Sequence, residues 1–392
     1  MRIAAVISEF NPFHNGHRFF TDSVREALGN DTCIIALMSG NYTQRGDVSI
    51  ADKFVRAEAA VRGGVDLVLE IPFPYSTSSA EFFARAGVSI ASSLSIVDTL
   101  AFGSECGDIE RLSLTAKRLC SKDFTEALSL AIKSEGEKGH ARITEAVYRR
   151  LYGDDGGVLS SPNDTLAVEY LRAINHLDTA LSPLVIKRSS NYHAKNLSDG
   201  ISASSVRAAI VSSLPTAYSA MPNASVAPLQ NAIEKGHAPT DLSRIGPTLL
   251  SYFRTVVPSE GDDLGHRLRN AAIRATDFDE FLSLAATKRY THAHLRRAIW
   301  HRYFGVTSAD LREPPAFTQV LGMNECGRKA LRLAAKQAKL VILTKPSDSR
   351  SLSGIAARQA MLSQRADLIY PLAMPVPVSG NHFILCAPYR NI

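Results

Sequence analysis

The chain has 392 residues, 45% of them apolar and 21% charged, enough for two or three packed domains and incompatible with global disorder. Its formal net charge of +6 suits a polyanionic partner only weakly, so the location of the basic residues matters more than their sum. The five cysteines, Cys33, Cys106, Cys120, Cys326 and Cys386, form no C-x-x-C and no zinc spacing, so reduced thiols and no protein-built metal site are expected. There is neither a basic leader followed by an apolar run nor a stretch of about 18 apolar residues, so a soluble, cytoplasmic protein with no membrane partner is expected.

The first predicted element is a buried strand, Arg2–Ile7, closed by the polar string S-E-F-N-P-F-H-N-G-H from Ser8 to His17. Asn11-Pro12 and Asn15-Gly16 are turn dipeptides, and from His17 the apolar residues Phe19, Phe20, Val24 and Leu28 keep helical spacing up to Gly29-Asn30. His14 and His17 therefore stand where a first strand passes into a first helix. Backbone N–H groups and the positive helix end favour an anion there, Gly16 lets the backbone approach, and two imidazoles can donate to phosphoryl oxygens as charge develops.

A second strand, Cys33–Met38, leads into the loop Met38–Asp47, whose two glycines, amides and Arg45 stand in position to reach phosphate or substrate. A helix over Asp52–Val61 follows, with Lys53 and Arg56 three apart, read either as a solvated basic face or as a functional pair. Then come a strand at Asp66–Ile71, a helix at Ser79–Ala91 and a strand at Asp98–Phe102 ending in Gly103, where glycine permits close backbone approach. This alternation predicts an α/β fold with a Rossmann-like parallel sheet. After helices over 108–151, the string S-P-N-D-T-L-A-V-E-Y-L from Ser161 predicts a helix start capped by Asn163 or Asp164. A strand at Leu184–Arg188 ends in a basic pair able to reach a triphosphate. In I-S-A-S-S-V-R, Ile201–Arg207, serine hydroxyls precede Arg207 by one turn, which suits pyrophosphate.

Residues 214–246, rich in Pro, Ser and Ala, are expected to connect the 1–213 domain to a mainly helical region at 247–392. That region carries a short strand at Leu340–Leu343 and a fold-forming string at Val320–Arg328. Its notable stretch is Ala286–Tyr303, with five Lys/Arg, three His, two Tyr, the only Trp and no acidic residue. Basic residues interleaved with aromatics suit phosphate contact plus base stacking; the alternative is a helix with a solvated basic face.

H-N-G-H after a first strand resembles the H-x-G-H signature of the nucleotidyltransferase superfamily. The longer E-F-N-P-F-H-N-G-H is similar to the bacterial tRNA(Met) cytidine acetate ligase family. M-S-G-N-x-x-Q-R-G, S-P-N-x-x-L-x-x-E-Y-L, I-K-R, I-S-A-S-x-x-R and T-K-R-Y-T extend the likeness over nearly the whole chain, with departures at Val48-Ser49, Ser189-Ser190-Asn191 and His294. The resemblance implies ATP, with Mg²⁺, bound by Ile7, Ser8, Glu9, Phe10, Asn11, Pro12, Phe13, His14, Asn15, Gly16 and His17, and by Gly103, Asn163, Arg188, Ser204 and Arg207. His14 and His17 would be catalytic. It further implies acetate activation as acetyl-adenylate and transfer to N4 of the wobble cytidine of elongator tRNA(Met), with Lys288, Arg289, Tyr290, Arg296 and Arg297 on the tRNA. The residues alone also admit an H-x-G-H adenylyltransferase of cofactor synthesis or a non-catalytic RNA-binding protein on the same fold.

Overall fold

The computed structural model describes residues 2–134, 139–153, 157–188 and 202–391. Strands β1 (Ile3–Ser8), β2 (Cys33–Ser39), β3 (Leu67–Ile71), β4 (Thr99–Ser104) and β5 (Ser182–Lys187) run parallel, in the order β5-β4-β1-β2-β3. The chain passes from β1 to β2 on one side and returns with β4 on the other, so a crevice opens at the carboxyl ends of β1 and β4, where such sheets take ligands. The 247–392 region is mainly helical, yet it also extends this sheet. β6 (Phe317–Asn324) lies antiparallel to β3, and β7 (Val341–Leu343) and β8 (Tyr389–Asn391) each run parallel to β6. The Val320–Arg328 string thus carries the end of an inner strand of the sheet, to Asn324, and the start of helix Glu325–Gln337.

Both faces of the sheet are covered, which explains the continuous apolar runs in the sequence. Ile3, Ala5, Cys33, Ile35 and Leu37 face a core shared with helices Ala80–Ser93, Ile109–Leu119 and Pro162–His176. Ala4, Val6, Ile34, Ala36 and Met38 face the opposite core, filled by helices Gly246–Thr255, Asp263–Arg274, Phe278–Ala285, His292–Phe304 and Gly354–Ile369. Residues 214–246, expected as a connection, form helices Thr216–Ser219 and Asn223–Glu234. Met221 and Leu229 there pack with Ile50, Val206 and Ile210.

Lys53 and Arg56, on helix Lys53–Arg62, do not form a solvated face: they are 2% and 1% exposed. Lys53 Nζ reaches Glu70 Oε2 at 2.8 Å and Asp367 Oδ2 at 2.7 Å, and these carboxylates outweigh the burial that works against its charge. Arg56 donates to the carbonyls of Ala51 (3.0 Å), Glu9 (2.5 Å), Ser39 (3.1 Å) and Gly40. Lys53→Met would leave two carboxylates facing each other in the interior and is expected to destabilise the fold by about 3–5 kcal/mol, read by urea unfolding; a loss below about 1 kcal/mol would show the triad to be hydrated and dispensable.

Candidate active site

The first helix, Asn15–Leu28, starts earlier than periodicity alone suggests, so His14 is its N-cap and His17 its third residue. The two side chains close a reciprocal cap: Gly16 N–H donates to His14 Nδ1 at 3.0 Å, and His14 N–H donates to His17 Nδ1 at 3.2 Å. The rings lie 3.9 Å apart. A neutral imidazole whose Nδ1 accepts carries its proton on Nε2, so each histidine keeps an Nε2–H donor. Both are held neutral. Burial, then the charges of Arg188 and Arg207, push His14 down to about 3; burial, then His14 and Arg188, push His17 well below the usual imidazole range. Phe10 and Phe13, with ring centroids 5.0 and 5.5 Å from His17, supply much of that dry packing.

The turn is fixed from several sides. Phe10 takes φ +44°, which reverses the chain after β1. Asn11 Oδ1 accepts from Ile50 N–H at 2.7 Å, and Asn15 donates to Ala220 and Ser219 carbonyls at 2.8 and 3.1 Å, so residues 214–246 brace the histidine helix. Arg207, on helix Ala203–Val211, donates to the Asn11 carbonyl at 2.7 Å and to Ser204 Oγ at 3.1 Å. Ser202 caps that helix, leaving Ser204 as the serine tied to the arginine. Arg188 follows β5, and its side chain lies across Gly103: a Cβ there would sit 3.2 Å from Arg188 Cγ. The structure therefore brings His14, His17, Gly103, Arg188, Ser204 and Arg207 together at the carboxyl edge of β1 and β4. Ile7 packs beneath, against Gly87, while Ser8 Oγ at the end of β1 is buried with no protein hydrogen-bond partner.

Asn163 and Asp164 are not the cap of their helix. Ser161 is the N-cap, Pro162 opens the helix, and Glu105 receives the free N–H groups. Asp164 N–H donates to Glu105 Oε2 at 2.9 Å and Asn163 Nδ2 donates to Oε1 at 2.6 Å. Asp164 in turn accepts from Ser104 Oγ and Cys106 N–H. Glu105 and Asp164 tie Asn163 to the end of β4; the sequence signals Glu105 only by its place after Gly103, and Asp164 only as a candidate cap. Residues Ser189–His193 and Ile201 lie outside the described residues.

The basic stretch divides. Leu295, Ile299 and Trp300 are buried, so the tryptophan is a core residue and not a stacking platform. Its Nε1–H donates to the Gly46 carbonyl at 2.9 Å, which seats helix His292–Phe304 on the 38–47 loop. Arg296 Nε donates to the Arg45 carbonyl at 3.3 Å and Arg297 Nη1 to the Gln44 carbonyl at 3.5 Å. Lys288 and Arg289 are exposed, with the Arg289 guanidinium 5.2 Å from the Tyr290 ring centroid and Tyr290 5.3 Å from His294. The same loop reaches the histidine turn, where Gln44 N–H donates to Glu9 Oε1 at 2.7 Å.

The model of the HIGH Nucleotidyl Transferase family matches residues 1–382. A tRNA(Met) cytidine acetate ligase of Acetivibrio thermocellus is 30% identical over 98% of both chains, and one of Thermoanaerobacter sp. is 33% identical over 88% of this chain and 89% of its own. The chain belongs to the tRNA(Met) cytidine acetate ligase family of HIGH nucleotidyl transferases. A crystal structure of Thermotoga maritima TmcAL bound with alpha-thio ATP is 28% identical and superposes with a TM-score of 0.90, covering 100% of both chains; its apo form gives 0.91. The fold is thus shared with that protein over the full length of this chain. Among the described residues no helix is long and apolar enough to cross a membrane.

Because His14 resists protonation when folded but takes a proton near pH 6.5 when unfolded, its stability contribution is complete above pH 6.5 and is lost as pH falls toward 3. The expected loss between pH 6.5 and 5 is about 2 kcal/mol from this residue, and His14→Asn, which keeps a cap acceptor, should flatten the slope by about 1.4 kcal/mol per pH unit. Urea unfolding across that range checks this; equal slopes in both proteins would mean that His14 protonates freely in the fold.

Proposed function

We propose that the chain is an ATP-dependent ligase that activates acetate as acetyl-adenylate and acetylates N4 of the wobble cytidine of elongator tRNA(Met). The observation that carries this reading is the pair of neutral Nε2–H donors set between Arg188 and Arg207, beside a loop that also bears the basic helix. Acetate oxygen attacks the α-phosphorus of ATP and pyrophosphate leaves. His14 and His17 donate to the α-phosphate oxygens as their charge grows, and because the imidazoles are already oriented the response needs little reorganisation. Arg188, Arg207 and Ser204 hold the departing pyrophosphate; Gly103 and Asn163 border the adenosine; Ser8 Oγ is a hydroxyl free to bond the substrate.

The second step follows from the nucleophile. The N4 lone pair is delocalised into the cytosine ring, so it needs an acyl group with a good leaving group, AMP, and close placement. Lys288, Arg289, Tyr290, Arg296 and Arg297 take the tRNA in this reading, through phosphate contacts and stacking. Magnesium would accompany the triphosphate. Among the described residues the only cluster of three potential ligands is Cys33, Asp66 and Cys326, at the amino end of β2, and Asp66 is already engaged by Arg25, Ile34 N–H and Asn324. Glu9 and Asp47, the carboxylates that act on Arg207, are the side chains that would hold a hydrated magnesium ion here, and the ion would neutralise phosphate charge.

Mass spectrometry of the product from ATP, labelled acetate and tRNA(Met) tests the whole reading: label on cytidine is expected, whereas AMP retained on a small product would indicate an adenylyltransferase. His17→Ala should lower acetate-dependent adenylate formation by about 10²–10³-fold while weakening ATP binding much less. Near-normal turnover would remove the histidine pair from the chemistry. Lys288→Ala with Arg289→Ala should chiefly weaken tRNA binding and lower its salt slope by about one to two units. Equal loss of pyrophosphate release without tRNA would reassign these side chains to the fold.

A further inference from the structure

Arg45, in the loop after β2, is exposed, and its loop is bonded to the half-buried Arg296 and Arg297 of helix His292–Phe304. The contact between loop and helix is unusually close. A Cβ added at Gly46, which has φ +80°, would sit 2.7 Å from Arg296 Cβ and 2.8 Å from the Arg297 backbone nitrogen. Only glycine fits there. With the Trp300 indole anchored on the Gly46 carbonyl, residues 44–46 are pinned to the helix at 296–300.

That surface gathers positive charge. Burial, then the charges of Arg296 and Arg45, hold Arg297 down to about 10, and Arg45 also acts on Arg207 in the histidine site. Among the described residues none of Arg45, Arg296 and Arg297 makes an ion pair within 4.0 Å. The carboxylate facing the group is Asp47, which feels Arg296 and Arg207. Holding three guanidinium groups together against one carboxylate is unfavourable until an anion joins them. The backbone carbonyls of Arg45 and Gln44 take one N–H each from Arg296 and Arg297, which aims the forks and leaves most of their donors unused.

We propose that Arg45, Arg296 and Arg297 form a phosphodiester clamp that holds the RNA backbone next to the target cytidine at the mouth of the adenylate site. The inference rests on the functional reading above and adds Arg45 and a distinct task. A single acetate carries one charge and must be enclosed against the α-phosphorus, whereas in this cluster Arg45 is exposed and Arg296 and Arg297 are half-buried; its loop is bonded to the histidine turn through Gln44 and Glu9, and the exposed Lys288 and Arg289 come just before its helix. Those outer residues gather the tRNA. The clamp sets where one nucleotide stands, so its loss falls on the rate of transfer more than on affinity.

The test uses the full chain with Arg45→Gln, Arg297→Gln and the two corresponding lysine variants. It reads adenylate formation and the acetate KM without tRNA, single-turnover acetyl transfer at saturating tRNA(Met), and tRNA binding against salt. In the glutamine variants, acetyl transfer is expected to fall roughly 10–100-fold, at least ten times more than adenylate formation, with the salt slope reduced by about one unit per arginine. The lysine variants should recover the salt slope but only part of the rate, since an ammonium lacks the directed fork; they also answer for folding should Arg297→Gln be unstable. Unchanged single-turnover transfer in Arg45→Gln and Arg297→Gln overturns the clamp. An acetate KM raised more than about tenfold without tRNA also overturns it, assigning the cluster to the acetate carboxylate. Wild-type protein that forms acetyl-adenylate yet never acetylates the RNA strikes instead at the functional reading itself.

Discussion

The site depends on a buried arginine that touches no substrate. Arg56 spends its donors on the carbonyls of Ala51, Glu9, Ser39 and Gly40, bridging the carboxyl ends of β1 and β2 where the sheet's own hydrogen bonds run out. Without it the Glu9 and Gly40 carbonyls would lose this donor, at a cost of about 1–3 kcal/mol for each left buried and unpaired, while the Ala51 carbonyl would keep the Ser49 hydroxyl at 2.8 Å. Burial lowers its pKa, yet an arginine remains charged at any physiological pH, so the bridge does not titrate. The Glu9 carbonyl is thereby fixed one residue before the chain reversal at Phe10, and the histidine turn inherits its position. Lys53 completes this charged floor, and Gly40 leaves room for it: a Cβ there would collide with the Glu70 carboxylate.

Above that floor, cation and donor roles are separated. Arg188 and Arg207 supply permanent charge, while His14 and His17 stay neutral and supply directed N–H groups. The arrangement is self-consistent, because the guanidinium groups that attract phosphate also suppress protonation of the imidazoles. In the proposed reading an incoming triphosphate would offset this positive field, and each Nε2–H···O bond would strengthen as negative charge moves onto the α-phosphate. The reciprocal cap matters as much as the charge. Each Nδ1 is occupied by a backbone N–H, and the tautomer is thus set by the helix start and not by the ligand.

Much of this could be read from the sequence because it is local. A strand, a turn with Asn-Pro and Gly, and histidines three apart specify a helix start, Gly103 and Arg188 fall at strand ends that periodicity locates, and Arg207 stands one turn into a helix whose cap is a serine. What could not be read is long-range. Lys53 and Arg56 look like a basic helix face because their partners, Asp367 and the carbonyls of residues 9, 39 and 40, are remote in sequence or carry no side-chain signal. Glu105 serves as surrogate cap for a helix 57 residues later, so Asn163 passed for a cap itself. β6 escaped because the region around it is helical and its partner β3 lies some 250 residues earlier. Trp300 counted as a stacking residue until the loop it anchors was in place.

The 38–47 loop draws these threads together. It is bound to the histidine turn through Gln44 and Glu9, to the charged floor through Asn41, which receives Lys53 N–H and donates to Asp367, and to helix Gly354–Ile369 through the Tyr42 hydroxyl on the Ala366 carbonyl. Its tip is held by Trp300. A two-step reaction through a mixed anhydride is exposed to hydrolysis whenever the adenylate waits for its acceptor, and the remedy is to keep both sites at a fixed separation. A loop anchored at four points and contacting both sites imposes that separation through packing, without a domain closure. The β6 insertion serves the same end. By hydrogen bonding the later half of the chain into the sheet beside β3, it ties the basic helix to the same sheet as the histidines, so that in the proposed reading the RNA would be brought to the adenylate and the reactive intermediate would not need to travel.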